Sequence, residues 1–259
     1  SFAMHSCFSA TISGYRVKLM HMYMVSLNDT LAAHESSGGK GRQLALLLAH
    51  GFPVPLGFVI QTSAFDTFVN GSWIREDLAT LIRGGKMLDP GSLTHYATEF
   101  TLRMNALPFP EGLSREISAV LEVDTNSMFA VRSSGSIEDG AHVACAGQFA
   151  TLLSVPRQDI PAAVRKVWES VCSPHALASL IRARTAEIAM AVVVQVMILP
   201  RVSGVLFTVD PVHSERKTLV VEAVLGHSNA LVSGEVTPDH YVLSRDDVRI
   251  LEKEAVRYG

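Results

Sequence analysis

Hydrophobic and polar positions over residues 38–69 predict a turn, a helix, a second turn, a strand and a second helix, in that order. Glycines at 38–41 predict a flexible turn, and the apolar run at 42–50 predicts a short helix. Gly51 stands where a helix commonly ends on glycine. The short apolar segment 57–61 then predicts a buried strand.

The middle of the chain alternates between helical and strand-like patterns. Residues 71–127 are mostly helical in pattern, with breaks at glycine and proline. The apolar run 128–132 predicts a short buried strand, followed by a polar loop at 133–136. Residues 146–155 predict a loop and a strand. Two helices follow over 159–185, with Ser173 capping the second one.

Strand-like runs dominate after residue 187. They fall at 190–198, 204–209, 218–224 and 240–243. We therefore predict an α+β protein with an N-terminal extension at 1–23, a mixed first lobe at 24–187 and a strand-rich second lobe at 188–259.

Composition excludes several classes of protein. The 259 residues are 48% hydrophobic, which is enough to form a core and excludes wholesale disorder. The net charge is 22 − 25 = −3, which argues against nucleic-acid and acidic-membrane partners. The longest apolar run, 189–200, is too short to span a bilayer. Three scattered cysteines form no disulfide framework, so we expect a cytoplasmic location.

Lys40 is the first candidate for chemistry, because it lies among glycines directly before a predicted helix. Glycines let the backbone approach an anion closely, and a helix N-terminus presents free N–H groups to it. A lysine at that place supplies a point charge to a phosphate. The alternative is an ordinary solvated turn, and the local sequence leaves it open.

Arg132 and the segment 147–151 are the next candidates. Arg132 ends an apolar strand before two serines, where a guanidinium can hold a phosphate bidentately or pair with Glu138 or Asp139. Gly147 and Thr151 can provide backbone and hydroxyl donors to a polyphosphate, or they form a plain hairpin turn.

Two polar residues belong to the later strands. Gln195 interrupts a run of valines, and its amide either pairs with nearby backbone or reads the polar edge of a base. Glu222 ends a strand, where it faces a cleft or caps a turn. The ten histidines form no zinc-ligand pattern, so we predict no metal-binding residues. No nucleophile with an identifiable base beside it is present in the sequence either.

Four blocks in collinear order resemble the ATP-binding domain of the phosphoenolpyruvate synthase, pyruvate phosphate dikinase and rifampin phosphotransferase family. They are GGKGRQLALLLAHGFPVPLGFVIQTSAFDTFV at 38–69, FAVRSSGSIEDGAHVACAGQFATLLSV at 129–155, AMAVVVQVMILPRVSGVLFTVDPV at 189–212 and VVEAVLGHSNALVSGEVTPDHYVL at 220–243. The resemblance covers roughly residues 26–245.

The resemblance implies an ATP-grasp fold with ATP and Mg²⁺ held between two lobes. By position, Lys40 and Arg132 would contact the phosphates and serve catalysis. Gly147 and Thr151 would belong to a loop that closes over the triphosphate, and Gln195 would lie at the adenine end. With Glu222 these residues complete our predicted nucleotide-binding set.

The family's reaction passes a phosphoryl group of ATP through a histidine on a separate swivelling domain to pyruvate, a rifamycin or a similar acceptor. The family's Gly-Leu-Gly-Glu run is here Gly226-His227-Ser228-Asn229, and its later acidic and Gln-x-Arg-Pro motifs are missing. We therefore expect a truncated second lobe that is inactive alone. The swivelling and acceptor-binding domains would lie on a missing C-terminal part or on another chain. The alternative is a stand-alone or degenerate binding module with a regulatory or scaffold role.

Overall fold

The structure is a computed structural model, and it describes seven segments of the chain: 6–12, 15–84, 89–121, 127–135, 150–186, 188–212 and 215–256. It divides into two compact units, Ser1–Met197 and Ile198–Gly259. Both contain antiparallel sheets, and helices are concentrated in the first. The predicted α+β class is therefore confirmed.

The first unit contains seven strands and seven α-helices within its described residues. The strands are β1 (Ser6–Ile12), β2 (Tyr15–His21), β3 (Met24–Ser26), β4 (Gly57–Ile60), β5 (Met128–Gly135), β6 (Thr151–Pro156) and β7 (Met190–Val196). The helices are α1 (Gly38–Ala49), α2 (Thr62–Val69), α3 (Ile74–Arg83), α4 (Pro90–Asn105), α5 (Glu111–Leu121), α6 (Ile160–Glu169) and α7 (Pro174–Ala183). Strands β1 and β2 pair as a hairpin within the N-terminal extension.

A five-stranded antiparallel sheet in the order β3-β4-β7-β5-β6 organises the first unit. Its central strand β7 is buried on both sides, which explains its nearly continuous run of valines. Val192 and Val194 join a large core that includes residues of α2 to α7. Ala191 and Val193 point to the opposite face, where they share a smaller core with Ala45 of α1. Among the described segments, α1 is thus the one α-helix that contributes residues to this smaller core.

Local signals account for the starts of two helices. The Ser173 side chain accepts a hydrogen bond from the Ala176 N–H, and Pro174 occupies the first helical position of α7. The predicted cap at Ser173 is confirmed. Asp89 caps α4 in the same way by accepting from the Ser92 N–H. Helices α3, α4 and α5 occupy the region predicted to be mostly helical.

The second unit is a four-stranded antiparallel sheet with one short helix. Its elements are β8 (Val202–Phe207), β9 (Thr218–Leu225), α8 (Asn229–Val232), β10 (Asp239–Ser244) and β11 (Ile250–Glu254), and the strand order is β11-β10-β9-β8. The units divide after Met197, whereas the sequence places its lobe boundary at 187/188. The difference arises because β7 pairs with β4 and β5 inside the first unit's sheet.

Two local predictions are wrong. Residues 38–41 are not a turn before a helix but the first turn of α1. Ser133, Ser134 and Gly135 are not loop residues, because they are buried and continue β5 in register with β7. Both errors concern the contact between α1 and β5.

Among the helices of the described segments, none combines the length and apolar character needed to cross a membrane.

Candidate functional site

The N-terminal turn of α1 lies directly on the backbone of β5. Gly38 has φ +64°, and a Cβ placed there would lie 1.8 Å from the carbonyl oxygen of Ser134. Gly41 is also close-packed, since its Cβ would lie 3.1 Å from the Val59 side chain. The glycines at these two positions therefore let the helix begin in contact with the sheet.

The hydroxyl of Ser134 joins this turn to β5. It accepts a hydrogen bond from the Gly41 N–H at 3.0 Å and donates one to the Ser37 carbonyl at 2.8 Å. These two backbone groups are four residues apart, which is the spacing of the first hydrogen bond of the helix. The serine hydroxyl thus contacts both groups of that helical bond, and all three groups are buried.

Lys40 lies within this first turn, half-buried, and it already interacts with other groups of the chain. Ser37 precedes the turn but provides no side-chain cap to it. The Ser37 hydroxyl is fully buried and has no hydrogen-bond partner among the residues the structure describes. A helix N-terminus with a lysine in its first turn favours an anionic ligand.

Arg132 is half-buried on β5, two residues before Ser134. It stands directly opposite Thr151 of β6 on one side and Val193 of β7 on the other. Directly opposed residues of an antiparallel pair share one face, and Val193 belongs to the face covered by α1. Arg132, Thr151 and the α1 turn therefore lie on the same face of the sheet.

Gln195 lies on the same face of β7. It stands opposite Ala130 of β5, which places it diagonally from Arg132 at a Cα distance of about 7–8 Å. The side chain is buried, and its Nε2 donates to the Pro55 carbonyl at 3.3 Å. The Gln195 amide therefore pairs with nearby backbone, which is one of the two alternatives that the sequence leaves open.

Two predicted residues, Glu222 and Gly147, lie outside the described part of the first unit. Glu222 belongs to β9 of the second unit, where its carboxylate is 3.8 Å from His240 Nδ1. Gly147 lies outside the described residues, as do Glu138 and Asp139, the predicted ion-pair partners of Arg132. The structure therefore brings together Lys40, Arg132, Thr151 and Gln195, all within the first unit.

The described part of the chain holds no cluster of three or more histidine, cysteine or acidic side chains suited to a metal ion. The chemistry available on this face of the sheet is cationic and hydrogen-bond-donating: an ammonium, a guanidinium, a hydroxyl and a helix N-terminus. Ser134 is the residue that sequence reasoning missed as a functional candidate. Continuing the strand pattern past Arg132 would have placed it on the face of Arg132.

Comparisons with known proteins show the family of the chain. Residues 34–257 match the family described as pyruvate phosphate dikinase, AMP/ATP-binding domain. A probable phosphoenolpyruvate synthase of Archaeoglobus fulgidus is 36% identical over 84% of this chain and 30% of its own length. A phosphoenolpyruvate synthase of Aeropyrum pernix is 33% identical over 83% of the chain and 27% of its own length.

A rifampicin phosphotransferase of a Streptomyces species is 34% identical over 87% of this chain and 27% of its own length. The chain thus spans 27–30% of the length of these three relatives. The family match covers most of the chain and includes the α1 turn, β5, β6 and β7. The chain therefore belongs to the AMP/ATP-binding domain family of pyruvate phosphate dikinase.

Proposed function

We propose that this chain is the ATP-binding domain of a dikinase-type phosphotransferase, with its two units as the two lobes of an ATP-grasp fold. A phosphoryl group of ATP would pass through a histidine on a separate domain to pyruvate, a rifamycin or a similar acceptor. Family membership supports the nucleotide. The relatives' names, phosphoenolpyruvate synthase and rifampicin phosphotransferase, support the reaction class.

One observation supports the site above the others: the N-terminal turn of α1 and Arg132 lie on the same face of one sheet. The Gly41 N–H contacts the Ser134 hydroxyl at 3.0 Å, and Ser134 is two residues from Arg132. At the ordinary rise of a strand, those two Cα atoms are about 7 Å apart. A triphosphate is long enough to contact both the helix turn and the guanidinium.

The proposed roles follow from the chemistry of each group. Lys40 supplies a positive charge to the phosphates, in competition with its present contacts. Arg132 binds a phosphate bidentately, and the Thr151 hydroxyl on the neighbouring strand donates to another oxygen. Such groups act by positioning the phosphates and neutralising their charge, which is most of what phosphoryl transfer needs from a protein.

The adenine would lie at Gln195, whose amide carries both a donor and an acceptor for the edge of a base. Its present bond to the Pro55 carbonyl uses one N–H and leaves the amide oxygen for such a contact. Gly147 is proposed for the loop over the triphosphate, as its place in the second block of the resemblance implies. Glu222 is proposed for the nucleotide set on the same basis.

Among the described side chains, there is no group of three or more histidine, cysteine or acidic residues that could hold a metal ion on its own. Mg²⁺ commonly binds through substrate phosphates, water and one or two carboxylates. We therefore treat the ion as part of the MgATP substrate and assign it no residue of this chain.

Calorimetric titration of the chain with MgATP tests the proposal. The wild-type chain should bind, and Lys40→Ala and Arg132→Ala should each weaken binding about tenfold or more, because each removes a charge-assisted contact. Arg132→Lys should fall between, since it keeps the charge but loses the bidentate geometry.

Arg83→Ala is the matched control. Arg83 is an exposed arginine at the end of α3, a helix whose buried residues belong to the large core on the other face of the sheet. Its replacement should leave the affinity for MgATP within about twofold of wild type. Equal affinities for wild type, Lys40→Ala and Arg132→Ala would refute the site, and absence of binding by the wild-type chain would refute nucleotide binding by this chain.

A further inference from the structure

The Ser134 hydroxyl holds an unusual place for a strand side chain. It accepts from the Gly41 N–H and donates to the Ser37 carbonyl, the two groups at the first hydrogen bond of α1. Ser134 is fully buried, and its own carbonyl lies against Gly38. One residue of β5 thus contacts both ends of the helical turn that contains Lys40.

We propose that Ser134 is a positioning residue that fixes the Lys40 turn of α1 at a set distance from Arg132. The inference rests on the proposed function, since it assigns the residue that aligns two phosphate-binding groups. Lys40 and Arg132 belong to different elements and are 92 positions apart in sequence, so no local covalent geometry relates them. The Ser134 bridge relates them directly, because Ser134 and Arg132 share one face of one strand.

Removing the hydroxyl leaves both backbone groups with a partner. The Gly41 N–H and the Ser37 carbonyl have the spacing of an ordinary helical bond, so neither stays unsatisfied. The turn then keeps its helical form but loses its bond to β5. The expected result is a folded protein in which Lys40 is no longer held at its distance from Arg132, rather than an unfolded one.

A matched pair of serine variants of β5 distinguishes the positioning role of Ser134 from a general contribution to stability. Ser133 is adjacent and also buried, but it points to the opposite face of β5. Ser134→Ala should weaken MgATP binding about tenfold, and Ser133→Ala less than twofold, with both variants folded by circular dichroism. Ser134→Cys keeps a side chain of similar shape with a weak donor, and it serves as the test if Ser134→Ala does not fold.

A double-mutant cycle with Lys40→Ala gives the readout that a purely structural role would not change. If Ser134 acts through the Lys40 turn, Ser134→Ala should cost about tenfold in the wild-type background and less than about twofold when Lys40 is already alanine. Competition against a tighter fluorescent nucleotide keeps the weak affinities measurable.

The outcomes separate this inference from the function on which it rests. Absence of MgATP binding by the wild-type chain refutes the proposed function, and the positioning role with it. If wild type binds and Lys40→Ala weakens binding, the function stands. In that case, the positioning role is refuted by wild-type affinity in the folded Ser134 variant, by an equal loss in Ser133→Ala, or by the same loss in both backgrounds of the cycle.

Discussion

Replacing Gly38 with alanine tests the contact between α1 and β5 most directly. Gly38 has φ +64° and ψ 176°, a backbone region essentially restricted to glycine, and forcing another residue into it costs about 1–3 kcal/mol. The new Cβ would also lie 1.8 Å from the Ser134 carbonyl oxygen and 2.5 Å from its carbonyl carbon. Both are backbone atoms, so no side-chain rotation relieves the overlap, and α1 must move away from β5.

The strain and the displaced helix together should lower the free energy of unfolding by about 3 kcal/mol or more, above the range of most single substitutions. Gly51→Ala is the control, because Gly51 also has a positive φ, +81°, but nothing lies within 4 Å of its added Cβ. That variant pays only the left-handed backbone cost of about 1–2 kcal/mol.

Urea unfolding followed by tryptophan fluorescence measures both losses. The chain has two tryptophans, Trp73 and Trp168, and both belong to the first unit, so the signal follows that unit alone. The free energy of unfolding, obtained from the urea midpoint and the m-value, should fall by at least about 1 kcal/mol more in Gly38→Ala than in Gly51→Ala. Equal shifts for the two variants would refute the close approach of α1 to β5.

Two further predictions concern buried titratable groups. Burial raises the pKa of Glu169 against the opposing charges of Arg165 and Lys166, so the folded chain binds this proton more tightly than the unfolded one. The stability of the folded chain should therefore fall as pH rises from the ordinary value of 4.5 through the raised pKa. Glu169→Gln should flatten that part of the plot of melting temperature against pH. A plot that is the same for Glu169→Gln and wild type would contradict the raised pKa. Burial, and to a lesser extent the Glu169 charge, raises the pKa of the Cys172 thiol to about 12. In a variant with Cys7 and Cys145 replaced by serine, a thiol reagent at pH 8 should therefore label Cys172 far more slowly in the native chain than in urea. Equal labelling rates would show that the thiolate is accessible in the native chain.

The local sequence pattern predicts those elements that depend on neighbouring residues. It places three features close to where the structure has them: the valine run of β7, the cap of α7 at Ser173 and the helices of 71–127. Periodic burial and helix caps depend on residues that are near each other in sequence, so a local pattern is enough to predict them. The pattern does not predict β11, because all residues of this strand are exposed and its sequence shows no apolar alternation.

The start of α1 could not be predicted locally. Glycine is a poor helix former, so four positions with three glycines indicate a turn. Gly41 of this turn bonds to Ser134, which is 93 residues away in sequence. Contacts of this kind between distant elements can override local propensity.

For the candidate site, the sequence predicts the residue types but not their arrangement. The residue types were predicted from sequence, because a lysine among glycines and an arginine at a strand end have recognisable chemistry. Their geometry depends on strand pairing: Arg132 stands opposite Thr151, and Gln195 bonds to Pro55 across 140 positions of sequence. No local pattern contains those distances.

The central place of β7 has a consequence for synthesis of the chain. It is the last strand of the first unit to leave the ribosome, yet it separates β4 from β5 in the finished sheet. Until it emerges, both neighbours expose unpaired backbone edges, which invite association with other nascent chains. The first unit can therefore complete its sheet only when translation has passed residue 196, and its exposure to chaperones lasts until then.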